Sequence, residues 1–505
     1  MLAVVFSRAQ YGMLAPPVTV EVHLSRGLPG FSIVGLPEAA VRESRDRVRS
    51  AIINSGYEFP AKRITVNLAP ADLPKEGSRF DLPIALGVLA ASGQVSIDAL
   101  SEKEFIGELA LGGAVRPVTG VLSAACQTAK AKRQLFLPSD SVDQAGLIDE
   151  LEVYGCSSLT AVVAHLQGTS DLSPYVAEKS LHKRPVQVED MQEVWGHSSV
   201  KRVLEIAAAG GHNVLMIGPP GTGKTMMAMR LPGILPPMTE EEALECAMIR
   251  SVNGSSVTDW QQRPFRAPHH TASAVALVGG GTQPRPGEVS LAHHGVLFLD
   301  EFPEFERRVL ESLREPMESG VITISRAAMQ AEFPARFQLV AAMNPCPCGY
   351  LGDKDGRCRC TAEQVSRYRN RISGPILDRI DMHVEVPRLP DSWLTDRQSG
   401  RMKAQESSQQ IRDRVVEART VQMERCGCAN ARMNSTQLER FCFLSSETAT
   451  LLEQAGRRFG FSPRSYDRIL KVARTIADLE GEENISRNHL AEALSYRALD
   501  REHGC

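Results

Sequence analysis

NVLMIGPPGTGKTMMAMRL, residues 213–231, decides the fold. A short apolar run that reads as a buried strand is followed by G-x-x-x-x-G-K-T at Gly218–Thr225, and the pattern then turns helical. Each part has a chemical reason. Gly221 and Gly223 let backbone N–H groups approach phosphate oxygens closely, and the start of the helix adds a favourable dipole. Lys224 is placed to reach the β- and γ-phosphates of ATP, and the Thr225 hydroxyl to ligate Mg²⁺. Gly218, Pro219, Pro220 and Thr222 make up the rest of the loop.

Two more apolar runs carry the chemistry onward. GVLFLDE, residues 295–301, ends in Asp300 and Glu301. A carboxylate at the C-terminal end of a buried strand faces the ligand crevice of an open α/β sheet, so Asp300 is expected to hold Mg²⁺ through water. Its neighbour Glu301 is expected to polarise the attacking water as general base. FQLVAAMNP, residues 337–345, ends in Asn344, a side chain suited to orienting that water or touching the γ-phosphate.

Around this core the chain of 505 residues is too long for one compact core. Residues 1–168 alternate β-rich runs with helical patterns, 169–188 read as a linker, 189–390 as a parallel α/β core, and 391–505 as a helical C-terminal domain. A charged fraction of 23%, a hydrophobic fraction of 43% and a net charge of −3 describe an ordinary soluble protein, in which any basic surface must be local. No run of eighteen apolar residues is present and the N-terminus lacks a basic region and cleavage site, so a cytoplasmic protein with no membrane partner is expected.

Eight of the eleven cysteines divide into two sets. Cys126, Cys156, Cys246 and Cys442 stand singly in apolar surroundings and read as small core residues. Cys346, Cys348, Cys358 and Cys360 crowd into the loop after Asn344 and could complete a structural Zn²⁺ site, although C-x-C is tighter than the usual zinc spacing. A reduced loop without metal is the competing reading, and CGC at 426–428 repeats the spacing once.

Taken in order, strand, glycine loop, LFLDE, the Asn-ended strand, LDRID and the helical end resemble an AAA+ ATPase of the magnesium-chelatase and MCM-like branch. GLPEAAVRESRDRVRSAIINSG, NLAPADLPKEGSRFDLPIALG, PFRAPHHTAS, GEVSLAHHGVLFLDE, LREPMESG and SYRALDR extend the resemblance to the YifB/ComM family over nearly the whole chain. Members of that family are described as hexameric DNA helicases promoting branch migration in natural transformation. The resemblance therefore implies a homo-hexamer acting on single-stranded and branched DNA. It implies Arg379 as an arginine finger and Arg464 as a sensor arginine reaching the γ-phosphate from the helical end. Two hairpin insertions, 263–291 and 321–337, would face the pore, with Arg266, His269, His270 and Arg285 contacting DNA in the first and Arg326 at the tip of the second. A metal site at His269–His270 or His293–His294 is disfavoured, because neighbours on one strand point to opposite faces.

By the same resemblance, residues 1–168 have a Lon-protease-like fold. PKEGSRFD puts Arg79 at the nucleophile position with Ser78 adjacent, and Ser123 stands where the lysine base would be, so an inactive scaffold is expected. Two alternatives remain at this point: an ATP-dependent Lon-like protease or unfoldase, and a chelatase-type subunit, although the chain lacks a D-x-S-x-S metal motif.

Overall fold

The computed structural model describes residues 1–35, 39–73, 75, 77–176, 189–255, 257, 259–281, 284–325, 330–352, 356–389, 392 and 405–497. They divide into two compact units, Met1–Arg184 with Leu244–Trp260 and Ser325–Phe333, and the remainder.

In the first unit the strands are β1 (Leu2–Arg8), β2 (Pro17–Ser25), β3 (Gly30–Val34), β4 (Arg63–Ala69), β5 (Lys103–Phe105), β6 (Glu108–Leu109), β7 (Val115–Arg116), β8 (Gln134–Pro138) and β9 (Val153–Cys156). Seven of them form one mixed sheet in the order β3-β4-β2-β1-β5-β8-β9, and β6 and β7 pair separately. Alternation in β2 buries Val18, Val20, Val22 and Leu24 on one face. The helix Asp81–Ala91 is buried along its whole length. It lies so close to the sheet that a Cβ at Gly87 would come within 2.5 Å of Val22. Its buried first carboxylate, Asp81, is paired with Arg47 at 2.8 Å.

The residues at the protease-like positions are occupied otherwise. The Ser78 hydroxyl donates to Glu108, and the Arg79 guanidinium donates to the Thr119 carbonyl at 2.6 Å. The Ser123 hydroxyl is buried without a partner. Among the described residues neither serine is bonded to a lysine or histidine that could take its proton.

In the second unit the strands are β10 (Val214–Ile217), β11 (Phe265–Arg266), β12 (Gly279–Gly280), β13 (Arg285–Pro286), β14 (Val296–Leu299), β15 (Val321–Ser325), β17 (Gln338–Met343) and β18 (Met382–Glu385), while β16 (Gln330–Pro334) falls almost wholly in the first unit's segment Ser325–Phe333. Five form a sheet in the order β11-β14-β17-β10-β18, every pair parallel. All residues of β10, β14 and β17 are buried, as strands covered on both faces require. Ile217 lies opposite Met343 and Leu299 opposite Ala341, which brings Gly218, Asp300 and Asn344 to one edge of the sheet. The first expected insertion contains the antiparallel hairpin β12–β13, and the second contains the strands β15 and β16.

The C-terminal helices include Ser408–Cys426, Ser446–Phe459, Pro463–Leu479 and Arg487–Ser495. Ser407 with Gln410 and Ser486 with His489 form capping boxes at two of them. Ile469, Val472, Ala473 and Ile476 form an apolar stripe at helical spacing that joins the strands and the helix Ser198–Gly210 in one hydrophobic cluster. This cluster joins helices beyond residue 405 to the sheet. Asp381, just before β18, ties the two parts together: it is buried, accepts the Asn213 N–H at 2.8 Å and pairs with Arg468. Burial alone would raise its pKa, but the charges of Arg468 and His212 and their hydrogen bonds hold it well below the usual carboxylate range.

Candidate functional site

The loop between β10 and the helix Lys224–Arg230 has the conformation its glycines predict. Gly221 and Gly223 lie at φ +75° and +83°. Gly218 is fixed for a different reason, since a Cβ there would stand 2.3 Å from the Val386 carbonyl oxygen after β18. Pro220, Thr222, Lys224, Thr225, Asp300, Glu301 and Asn344 all line a cavity of about 430 Å³. Lys224 Nζ donates to the carbonyls of Gly218 and Pro219 at 2.7 and 2.9 Å and to Asn344 Oδ1 at 3.3 Å. Burial lowers its pKa, with Asp300 opposing the shift. The Thr225 hydroxyl donates to Asp300 Oδ2 at 2.6 Å, so the two oxygens expected to hold Mg²⁺ are already adjacent. Oxygen donors at this place suit a hard cation, and a glycine loop ahead of a helix suits phosphates. These residues fit ATP with Mg²⁺.

Glu301 sits at φ +51°, a left-handed conformation uncommon outside glycine. Its Oε2 lies 3.0 Å from His270 Nδ1. The sequence assigned His270 to DNA; in the structure it stands against this carboxylate. His269 and His270 are not on a strand, and their rings lie 4.1 Å apart, so the opposite-faces argument does not apply to them. His269 Nδ1 is bonded to the Thr271 hydroxyl at 2.9 Å.

The two candidate arginines are brought together, away from the cavity lining. Arg379 Nη2 lies 2.7 Å from Glu318 Oε2 and Arg464 Nη2 3.5 Å from Glu318 Oε1. Arg379 holds Glu318 below its ordinary pKa, with Arg464 adding to the effect. Neither arginine reaches the cavity of its own chain. Glu318 gave no signal in the sequence, because nothing in LREPMESG distinguishes it from a solvated helix carboxylate.

Family models for magnesium chelatase match three segments. Subunit ChlI of Mg-chelatase covers residues 20–141, the magnesium chelatase ChlI subunit 190–394, and its C-terminal part 405–497. The chain is 53% identical to competence protein ComM of Haemophilus influenzae over 99% of its own length and 98% of that protein's. The chain belongs to the YifB/ComM family. Uncharacterized protein YifB of Escherichia coli, 54% identical over 99% of this chain and 98% of its own, is another relative. DNA replication licensing factor Mcm2 of Drosophila melanogaster is more distant, 28% identical over 50% of this chain and 30% of its own. Membership in this family makes the second unit a magnesium-chelatase-like AAA+ domain, with ATP and Mg²⁺ implied at the cavity just described.

Other residues singled out in this YifB/ComM chain fall as follows. Arg266 is held by both oxygens of Glu288 at 2.6 and 2.8 Å. Arg285 is exposed on β13. Arg326 lies outside the described residues. The sulfurs of Cys346, Cys348, Cys358 and Cys360 converge, all within 4.8 Å of one another. Cys156, Cys246 and Cys442 are buried singly as expected, and Cys126 is half-buried. Sequence reasoning missed Tyr368, buried close to Asn344, whose pKa burial pushes up to about 12 while the Asn344 backbone opposes the shift. Among the described residues no helix is long and apolar enough to cross a membrane.

Proposed function

We propose that this chain is an ATP-driven DNA motor, a helicase that promotes branch migration and works as a hexameric ring. The observation that carries the reading is the junction of His270 with Glu301: a residue of the first insertion touches the expected general base. DNA held by β12–β13, where Arg285 is exposed, would thereby bias hydrolysis. β16 runs within residues 335–337 into β17 and Asn344, so the second hairpin is joined to the same site. That a competence protein shares almost the whole chain, and a DNA replication licensing factor half of it, supports DNA as the partner.

Thr225 and Asp300 would hold Mg²⁺, which supplies charge neutralisation at the β- and γ-phosphates. Lys224 binds those phosphates, exchanging its present carbonyl and Asn344 contacts for them. Glu301, released from His270, accepts a proton from the attacking water, and Asn344 orients that water. Arg379 and Arg464, side by side on Glu318, would serve a neighbouring chain's nucleotide, which makes a ring the working unit. The first unit acts as a proteolytically inactive, Lon-like scaffold.

The test is a forked-duplex and four-way-junction assay with wild type and Glu301→Gln in parallel. ATP-dependent strand exchange by wild type alone is expected. Wild type that binds no DNA and moves no junction would discard the motor reading.

A further inference from the structure

At Asn344 the chain leaves the sheet, runs through residues 345–360 and re-enters regular structure at Thr361, which caps the helix Ala362–Arg369. That helix returns to the point of departure. Arg369 Nε donates to the Pro345 carbonyl at 3.4 Å. Inside the loop the Cys346 and Cys348 sulfurs are 3.4 Å apart, Cys348 and Cys358 3.6 Å, and Cys346 and Cys358 3.8 Å. Disulfides require about 2.05 Å, so none is formed. Four thiolates around zinc, each at about 2.3 Å, stand roughly 3.8 Å from one another.

The donor set narrows the ion further. Sulfur alone favours zinc or another thiophilic metal over magnesium or calcium. Thiols are weak hydrogen-bond donors, so mutual S–H contacts give little reason for four of them to converge.

We propose that Cys346, Cys348, Cys358 and Cys360 bind one structural zinc ion, and that this closed loop braces the ATP site. Four protein ligands leave no open position, so the ion's role is structural. The brace is a backbone contact. Gly349 lies at φ +82°, where a Cβ would stand 2.8 Å from Pro220 Cδ and 3.8 Å from Asn344 Cγ. The loop thus backs the phosphate-binding turn and the strand end together. Zinc binding stands independently of the ATP site; the bracing role rests on the ATP reading given above.

The experiment uses the full chain, purified without chelator from zinc-supplemented cells, with metal measured by mass spectrometry and nucleotide affinity by fluorescent ADP. Wild type and Cys426/Cys428→Ser should each carry one zinc per chain, and Cys346/Cys348→Ser none. Cobalt in place of zinc should give the visible bands of a tetrahedral thiolate site. Wild type without stoichiometric metal, or a Cys346/Cys348→Ser chain that keeps it, overturns the zinc site. Gly349→Ala should keep its zinc and bind fluorescent ADP about tenfold more weakly, the scale of strain from a left-handed non-glycine residue. Undiminished affinity in that variant overturns the brace while leaving the zinc. Wild type that carries zinc but binds no nucleotide counts against the ATP reading instead. Should Cys346/Cys348→Ser fail to fold, the wild-type metal content and cobalt spectrum decide the site and Gly349→Ala decides the brace.

Discussion

His270 Nδ1 stands 3.0 Å from Glu301 Oε2, so the residue expected to activate water is engaged by a side chain of the first insertion. Both groups are partly exposed, which limits such a pair to about 1 kcal/mol or less. Replacing His270 by Ala should raise DNA-free ATP hydrolysis by up to about fivefold, that energy expressed as a rate. The stimulation by DNA should shrink to match, with KM for ATP little changed. Steady-state ATPase assays with and without forked DNA measure both.

Lys224 and Glu301 should fail in different ways. Lys224→Ala removes the cation that contacts the loop carbonyls and Asn344, and should abolish binding of fluorescent ATP as well as turnover. Glu301→Gln should still bind ATP while kcat falls by about 10²–10⁴, the usual worth of a general base. Equal loss of affinity in both variants would show that Glu301 serves binding rather than proton transfer.

Arg379 and Arg464 share Glu318 rather than the cavity of their own chain. Arg379→Ala and Glu301→Gln chains, each inactive alone, should regain ATPase activity when mixed before assembly. Restored turnover requires one chain to supply the arginine and its neighbour the glutamate. A mixture as inactive as its parts would place Arg379 outside the trans site.

Asp381 makes acid stability testable. Its folded pKa is held below the unfolded carboxylate value of about 3.9, so its contribution is fully present above that value. It is lost as pH falls below about 4 toward the folded pKa. Asp381→Asn should cost about 3–5 kcal/mol at pH 7 by leaving Arg468 unpaired. Thermal melts from pH 7 to pH 3 should show the gap between wild type and variant narrowing at the acid end.

The catalytic edge was legible because buried parallel strands have short uniform apolar runs whose last residue announces itself. Gly218, Asp300 and Asn344 each follow such a run. Contacts set by tertiary folding were not legible. No local period links His270 to Glu301, residues 31 positions apart by number, or joins Arg379 and Arg464 through Glu318. The cysteine cluster was readable as a group, while its contact with Pro220 depends on the positive φ of Gly349, one glycine among many in this chain. Composition marked the change to polar helices near residue 391 but not that the stripe Ile469–Ile476 packs with the strands, because polar helices can still bury one full face.

That continuous core also limits how motion can be made. A hinge needs a plane crossed by few contacts, yet the helix Pro463–Leu479 shares its apolar stripe with the strands and is anchored at Asp381 through Arg468. The C-terminal helices and the sheet thus share one core in this structure. On the proposed motor reading, a nucleotide-driven stroke would be taken up at the borders of that shared core.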